Sequence, residues 1–142
     1  MKFMRSLVAL STIAAASMFA ACGDDSSSAN GSSECEVTNG VVVVKPASGD
    51  KFKMGETITV VYGSDLAKGG FIFEFRTDAD EKGKSYSKES MGEEKPDGKT
   101  CYEQKLELKE GFAAPSDKAV IRVIPYYETA KGKNSAEFTV TE

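Results

Sequence analysis

Short runs of alternating apolar and polar residues recur along most of this chain, with Gly, Pro, Asp and Asn between them. The clearest run is 71–76, where three phenylalanines fall on one face of an extended segment. Side chains two residues apart point to the same face of a strand, so this spacing predicts strands with one buried face. Further strands are predicted at 41–44, 57–62, 85–88, 102–108, 120–125 and 136–140.

Helical periodicity is almost absent, and no stretch of about 10–15 residues offers the crossover helix that a parallel sheet needs. The pattern therefore predicts an all-β fold, an antiparallel sandwich of about seven strands in two sheets. The predicted core consists of large apolar residues on the inner faces of these strands: Ile58, Val60, Phe73, Phe75, Leu106, Ile121, Val123 and Phe138.

The N-terminal segment has a different pattern. Lys2 and Arg5 precede an apolar stretch at 7–16, and small residues then lead to Cys22. A basic start, an apolar stretch and small residues before a cut are typical of a secretory signal peptide. The segment 18–22 resembles the lipobox of bacterial lipoproteins. The resemblance implies cleavage before Cys22, with acylation of its thiol and of the new amine.

Ordinary secretion and a retained membrane anchor are the alternatives to lipidation. The apolar stretch is shorter than the roughly 20 residues that span a bilayer; Ser11 and Thr12 interrupt it, and Ser17 follows it. An ordinary signal peptidase requires small residues at both positions of an A-x-A site, and Phe19 disrupts that register. Phe19 also stands where the lipobox usually has Leu. We predict lipidation of Cys22.

Lipidation divides the chain into a signal peptide (1–21), the lipidated cysteine with a serine-rich tether (22–33) and one domain (34–142). The tether holds one small apolar residue, Ala29, and cannot bury enough surface to offset its ordering entropy. We therefore predict a flexible tether. Around ten residues of such coil span about 15–20 Å, which keeps the domain near its membrane.

The residues after the predicted lipidation point bear on the location. Asp directly after the lipidated cysteine resembles an inner-membrane retention signal, and Gly23 occupies that place. Asp24-Asp25 resembles the acidic export signals of some surface-displayed lipoproteins, although two acidic residues in a serine-rich tether are commonly only solubilising. The expected location is the cell envelope, with lipid anchoring in the outer membrane; outward display and a periplasmic orientation are both left open.

Charge narrows the range of partners. Removing 1–21 takes away Lys2 and Arg5, which leaves 16 basic and 22 acidic side chains and a formal charge of −6. Nucleic acid is excluded as an expected partner, because an acidic chain gains nothing from phosphate contacts. Surface charge does not favour anionic headgroups either, so the acyl chains are expected to hold the protein on its membrane.

Two cysteines remain once Cys22 is assigned to lipid. Cys35 and Cys101 form an even number in an exported chain, so we predict a disulfide bond between them; the alternative is two thiols that never meet. The bond would close a loop of 66 residues and stabilise the fold by roughly 4 kcal/mol in the chain-entropy model.

No catalytic residues are predicted, because a chain without histidine lacks the usual general base and the common nucleophile pairs. No metal or cofactor is expected either. The segment 78–83 followed by Glu89 partly fits a calcium loop. However, Lys82 stands where an oxygen ligand belongs, Ser85 stands where an apolar residue normally packs, and the segment follows a strand. A solvated hairpin loop is the preferred interpretation.

Two further segments are candidates for binding. The charged stretch 78–100 has the length of a functional loop, or of a solubilising insertion. Tyr126 and Tyr127 follow Pro125 near the end of a strand. Adjacent strand residues point to opposite faces, so at most one tyrosine is expected in the core. The other could stack on a sugar ring or a protein partner, which makes Tyr126 and Tyr127 the candidate ligand-binding residues.

The segment 43–60 resembles the opening of an immunoglobulin-like family of wall and surface modules, and 134–140 resembles that family's last strand. The family includes the N-terminal domain of fungal cell-wall glucan assembly proteins and Ser/Thr-rich anchored surface proteins. Tyr62 stands where the family usually has Trp. The resemblance implies an immunoglobulin-like sandwich.

We therefore expect a non-enzymatic envelope lipoprotein whose domain is a binding or scaffolding module at the cell surface. One alternative is a carbohydrate-binding module that holds polysaccharide near the cell. The other is an accessory subunit of an envelope complex, which the small size of the domain and its lack of catalytic residues would fit.

Overall fold

The computed structural model describes residues 33–66, 68–80, 82–88 and 96–142. The predicted signal peptide, Cys22 and the tether up to residue 32 lie outside these ranges. Within them the regular structure consists of nine β-strands and two single 3₁₀ turns, Ser33–Cys35 and Thr129–Lys131. The strands are β1 (Val41–Lys45), β2 (Lys51–Lys53), β3 (Thr57–Ser64), β4 (Phe71–Arg76), β5 (Lys84–Lys88), β6 (Tyr102–Glu107), β7 (Ser116–Pro125), β8 (Lys133–Asn134) and β9 (Phe138–Thr141).

These strands form two sheets that face each other. One has the order β1-β3-β6, and the other has the order β2-β9-β7-β4-β5, with β8 also paired to β7. Sequence order and sheet order together match the two sheets of an immunoglobulin-like sandwich. The predicted all-β sandwich is confirmed. The strands beyond the predicted seven are β2 and β8, which have three and two residues.

One strand pairing departs from the antiparallel pattern. Between β1 and β2 the chain passes from one sheet to the other through a turn in which the Asp50 carboxylate accepts a hydrogen bond from the Ala47 N–H (2.8 Å). Strand β2 then runs parallel to β9, with Phe52 opposite Val140. The consecutive strands β1 and β2 thus border one lateral side of the sandwich. The edge strands β5 and β6 border the other.

The core lies between the two sheets and is built as the alternation predicted. All eight predicted core residues are buried, together with Tyr62, Phe71, Leu108 and Val140. The ring of Tyr62 packs edge-to-face against Phe71 (5.0 Å between centroids) and Phe73 (5.4 Å). The predicted last strand begins two residues too early: Ala136 is exposed, because β9 begins only at Phe138, and Ser135 is buried instead.

One end of the sandwich gathers the N-terminal segment and three connections. This end, which we call the tether end, comprises 33–40, 63–66, 96–101 and 126–132. Backbone hydrogen bonds join these pieces: the N–H of Val37 donates to the carbonyl of Gly98, and the N–H of Gly98 donates to the carbonyl of Ser64 (both 2.9 Å). The predicted tether therefore reaches the domain at the end where the candidate tyrosines lie.

Candidate binding cleft at the tether end

Tyr126 and Tyr127 lie on the turn that follows β7. Both side chains are exposed, 54% and 66% respectively. Neither joins the core, because β7 ends at Pro125 and the two-residue alternation of a strand ends with it. The rings pack edge-to-face with centroids 5.2 Å apart. The turn is held by a hydrogen bond from the Tyr126 N–H to the carbonyl of Gly70 (3.0 Å).

A surface cleft of about 350 Å³ opens beside Tyr127. Leu66 and Pro125 give it an apolar base, and Lys68 and Glu128 bring opposite charges to its rim. The Lys68 ammonium lies 5.5 Å from the centroid of the Tyr127 ring, within the range of a cation–π interaction. The cleft therefore combines the exposed ring of Tyr127 with hydrogen-bond donors and acceptors. A small cyclic ligand with polar substituents requires this combination.

Polar contacts join the turn to the N-terminal segment. The ammonium of Lys131 forms a salt bridge with Glu128 (3.0 Å) and donates a hydrogen bond to the side-chain carbonyl of Asn39. The carboxylate of Asp65 accepts hydrogen bonds from the N–H groups of Asn39 and Gly40. The hydrogen bond from Asn39 is the main reason why the pKa of Asp65 is lowered. Glu128, at the cleft rim, is thereby linked to the N-terminal segment of the domain, which directly follows the predicted tether.

The predicted disulfide bond is present. Cys35 and Cys101 are joined with their Cα atoms 5.2 Å apart, which links the N-terminal segment to the start of β6. Gly63 allows this approach: a Cβ on Gly63 would lie 2.1 Å from the carbonyl oxygen of Cys35. Gly98 is similarly constrained, because it has a φ of +72° and its Cβ would lie 2.7 Å from the carbonyl oxygen of Val37.

The residues before Cys101 form a tight turn around Asp97. The Asp97 carboxylate accepts hydrogen bonds from the Thr100 hydroxyl (2.7 Å) and from the N–H groups of Lys99 (2.8 Å) and Thr100 (2.7 Å). These bonds, that of the Thr100 hydroxyl foremost, lower the pKa of Asp97 to about 2. The turn is therefore held by a carboxylate that is ionised at any physiological pH.

The partial calcium-loop motif is only partly within the described residues, since Glu81 and Glu89 lie outside them. The Asp78 carboxylate accepts a hydrogen bond from the N–H of Asp80 (3.0 Å), which closes a local turn. The described residues contain no cluster of three potential metal ligands. The strand predicted near 85–88 is confirmed as β5 and occupies part of the charged stretch 78–100.

A second surface region lies partly on the charged stretch 78–100, which the sequence marks as a candidate, but its groove was not identified from the sequence. Tyr86 on β5 is 42% exposed and packs edge-to-face against the largely buried Phe112, with ring centroids 6.1 Å apart. A groove of about 200 Å³ lies beside this pair and is also lined by Lys105, Leu106, Glu107 and Lys109. The sequence holds Tyr86 in an alternating Lys-Ser-Tyr-Ser-Lys run, but the groove depends on how β5 and β6 lie relative to each other.

The hydroxyl of Tyr62 is a titratable group inside the core. It is buried without a hydrogen-bond partner, as is the side-chain carbonyl oxygen of Gln104. Burial, and secondarily the neighbouring Tyr102, raises the pKa of Tyr62 above its usual range. This tyrosine is therefore neutral at physiological pH and acts as a core residue between Phe71 and Phe73.

Within the described ranges, no helix has the length and apolar character needed to cross a membrane. No protein-family model matches this chain. Neither a curated protein nor a solved structure matches it.

Proposed function

We propose that this protein is a non-enzymatic lipoprotein of the bacterial envelope whose β-sandwich binds a ligand through the Tyr126–Tyr127 cleft. The observation that carries the proposal is the exposure of these two adjacent rings, of which Tyr127 lines a cleft with an apolar base. Adjacent exposed rings form a contiguous apolar surface, and such a surface beside a concave apolar base is typical of a binding site. In the described residues they are confined to Tyr86, Tyr126 and Tyr127.

Polysaccharide is the ligand class that the cleft supports best. A sugar ring presents apolar C–H groups to an aromatic face and hydroxyls to its surroundings. Tyr127 offers the face, while Lys68 and Glu128 offer a donor and an acceptor at the rim. A single exposed stacking ring contributes on the order of 1 kcal/mol, so the affinity of one domain is modest. Many copies on one membrane would compensate through multivalency.

The position of the cleft supports a ligand in the envelope itself. The cleft lies at the tether end, and a tether of around ten residues spans about 15–20 Å. A domain anchored through Cys22 would therefore present the tyrosines close to its own membrane. The ligand would lie beside the membrane surface, where the acyl chains concentrate the protein.

Retention on insoluble polysaccharides tests the proposed ligand class. The mature chain carrying Cys22→Ala is incubated at about 100 μM, where weak modules still bind, with cellulose, xylan, glucan and peptidoglycan. We expect retention on at least one of them and loss of retention in the double variant Tyr126→Ala/Tyr127→Ala. The matched control is Tyr86→Ala, which removes another exposed tyrosine far from the cleft. Retention that survives the double variant and is lost in the control would place the polysaccharide-binding site at Tyr86. Absence of retention on every polysaccharide would contradict the proposed ligand class.

Membrane fractionation tests the anchor separately. Cys22→Ala removes the thiol to be acylated and is expected to shift the full-length protein from the membrane to the soluble fraction. Cys22→Ser is a conservative companion that keeps the size of the side chain. Unchanged membrane association of both variants would contradict lipid anchoring without bearing on the tyrosine cleft. Protease treatment of intact cells then separates outward display from a periplasmic orientation.

A further inference from the structure

The lateral side bordered by β5 and β6 has an open sheet edge. β5 is the last strand of its sheet, and in the described ranges its strand partner is β4 alone. All five residues of β5 are exposed. The outer edge of such a strand presents backbone N–H and C=O groups that can pair with a further strand.

The side chains of β5 alternate between two faces of this edge. Tyr86 lies opposite Phe73 in the register with β4, and Lys84 and Lys88 lie opposite Phe75 and Phe71. These three residues therefore share the inner side of the sheet, facing the gap toward β6. Tyr86 packs against Phe112 in this gap, beside the 200 Å³ groove. A second cleft of about 310 Å³ shares Phe112 as a lining residue.

The rim of the two clefts is basic although the chain as a whole is acidic. Lys105 and Lys109 line the first cleft, and Lys82 and Lys84 line the second. Glu107 is the one carboxylate among the lining residues of these two clefts and lies 3.9 Å from Lys109, with both side chains more than half exposed. The formal charge of the whole chain is −4. This concentration of lysines favours an acidic partner.

The sequence of β5 disfavours a second copy of the same chain as that partner. Lys84-Ser85-Tyr86-Ser87-Lys88 reads the same in both directions. Two copies paired antiparallel about Tyr86 would place Lys84 of one opposite Lys88 of the other, at both ends of the pairing. Like charges directly opposite each other destabilise a strand pair. Carboxylates in the same two positions would stabilise it.

We propose that the free edge of β5 binds an extended acidic peptide segment of a partner protein as an added antiparallel strand. Backbone hydrogen bonds to β5 provide the affinity, and alternate side chains provide the specificity. One carboxylate of the segment lies opposite Lys84, and another lies opposite Lys88. The apolar residue between them lies opposite Tyr86 and covers the Phe112 groove. This inference stands apart from the lipid anchor and the Tyr126–Tyr127 cleft.

Short blocked peptides test this binding mode directly. The probes are Glu-Thr-Val-Thr-Glu, its charge-reversed form Lys-Thr-Val-Thr-Lys, and Glu-Thr-Pro-Thr-Glu, in which proline removes a backbone donor. Fluorescence anisotropy is measured with the mature Cys22→Ala protein. We expect the first peptide to bind at least about tenfold more tightly than either of the others, with affinity that falls as salt is added.

A charge-swapped variant tests the same binding mode by a reversal of peptide preference, which a variant that fails to fold could not show. Lys84→Glu/Lys88→Glu is expected to reverse the preference, so that the lysine peptide binds about tenfold more tightly than the glutamate peptide. The matched control is Lys51→Glu/Lys53→Glu on β2, the edge strand of the same sheet on the opposite lateral side. This control changes the net charge equally and is expected to retain the original preference.

Three results would overturn the proposal. Equal binding of the proline peptide would show that charge alone acts. Loss of the preference in the β2 control would show that overall charge, and not the β5 edge, selects the peptide. Binding of polygalacturonate with no binding of the glutamate peptide would assign the lysine-rimmed groove to an anionic polysaccharide. The effect of Tyr126→Ala/Tyr127→Ala on retention by the neutral polysaccharides is unaffected by any of these outcomes.

Discussion

The tether end and the open lateral edge both present exposed tyrosines, but they are held in different ways. At the tether end, a disulfide bond, a carboxylate-centred turn at Asp97 and the contacts of Asp65 tie loops to the sheets. At the open lateral edge, β5 is held by its pairing with β4 and by the packing of Tyr86 on Phe112. One region is cross-linked through loops, and the other is built on sheet edges that carry no further strand in the part of the chain that the structure describes.

The difference follows from how many backbone hydrogen bonds of the sheets each region contains. A loop end has few ladder hydrogen bonds, so its shape depends on side-chain contacts and on cross-links. It is also the end at which the predicted tether would transmit any pull from the membrane. A sheet edge is already regular, and its outer backbone groups can pair with a further strand. Cross-links are therefore concentrated at the tether end, while the lateral side presents strand edges with no further strand in the described ranges.

The largest expected effect is the loss of the disulfide bond. Replacing Cys35 and Cys101 together by Ser should lower the free energy of unfolding by about 3–4 kcal/mol, because a loop of this length is no longer closed in the unfolded chain. Urea unfolding with and without reductant measures it. The β5 peptide preference should persist in the folded variant, since the bond lies at the tether end. A variant that loses that preference while remaining folded would contradict the separation of the two regions.

The second effect compares the stability cost of a Cβ that crowds a neighbouring carbonyl with the cost of a positive φ alone. Gly98→Ala combines a positive φ with a Cβ 2.7 Å from the Val37 carbonyl oxygen, whereas Gly111 has a φ of +88° and nothing within 4 Å of its Cβ position. We expect Gly98→Ala to cost about 2–3 kcal/mol and Gly111→Ala about 1 kcal/mol. Urea unfolding of both variants is the measurement. Equal losses would show that the N-terminal segment is not held closely against Gly98.

Much of the fold could be predicted from the sequence, because alternation at period two is a local property. The phenylalanines of 71–76 and the pair Ile58 and Val60 are buried as expected. The parallel pairing of β2 with β9 could not be predicted, since it joins segments almost a whole domain apart in sequence. The disulfide bond was predictable by counting cysteines in a chain that the sequence predicts to be exported, without any knowledge of geometry.

The candidate sites were predictable only in part. Tyr126 and Tyr127 were identified, but Lys68 was not, because it comes to the Tyr127 ring through a loop conformation that no local pattern encodes. The groove at Tyr86 was missed for a different reason. It is formed by Phe112 and by residues of β6, and their proximity to β5 depends on the packing of one sheet against the other.

The third effect is a pH dependence confined to the tether end. The pKa of Asp97 is lowered from 3.8 to about 2 in the folded protein. A carboxylate with a depressed pKa contributes stability above its unfolded pKa, and this contribution is lost as the pH falls toward the folded value. The urea midpoint should therefore fall between about pH 5 and pH 2, and less steeply in Asp97→Asn. Asp117→Asn, an exposed residue at the opposite end, serves as the control, and an identical slope in both variants would contradict the assignment.

The smallest expected effect is at the open lateral edge. Tyr86→Ala removes the edge-to-face contact with Phe112, and such pairs contribute about 0.5–1.5 kcal/mol. The loss of stability should fall at the lower end of that range because Tyr86 is 42% exposed. Tyr86→Phe keeps the ring and should retain both stability and the β5 peptide preference, while Tyr86→Ala should weaken peptide binding more than it weakens the fold. Urea unfolding and peptide anisotropy on the same two variants measure both quantities. A stability loss as large as that of the disulfide variant would show that the lateral edge is also a structural support, and would remove the contrast between the two regions.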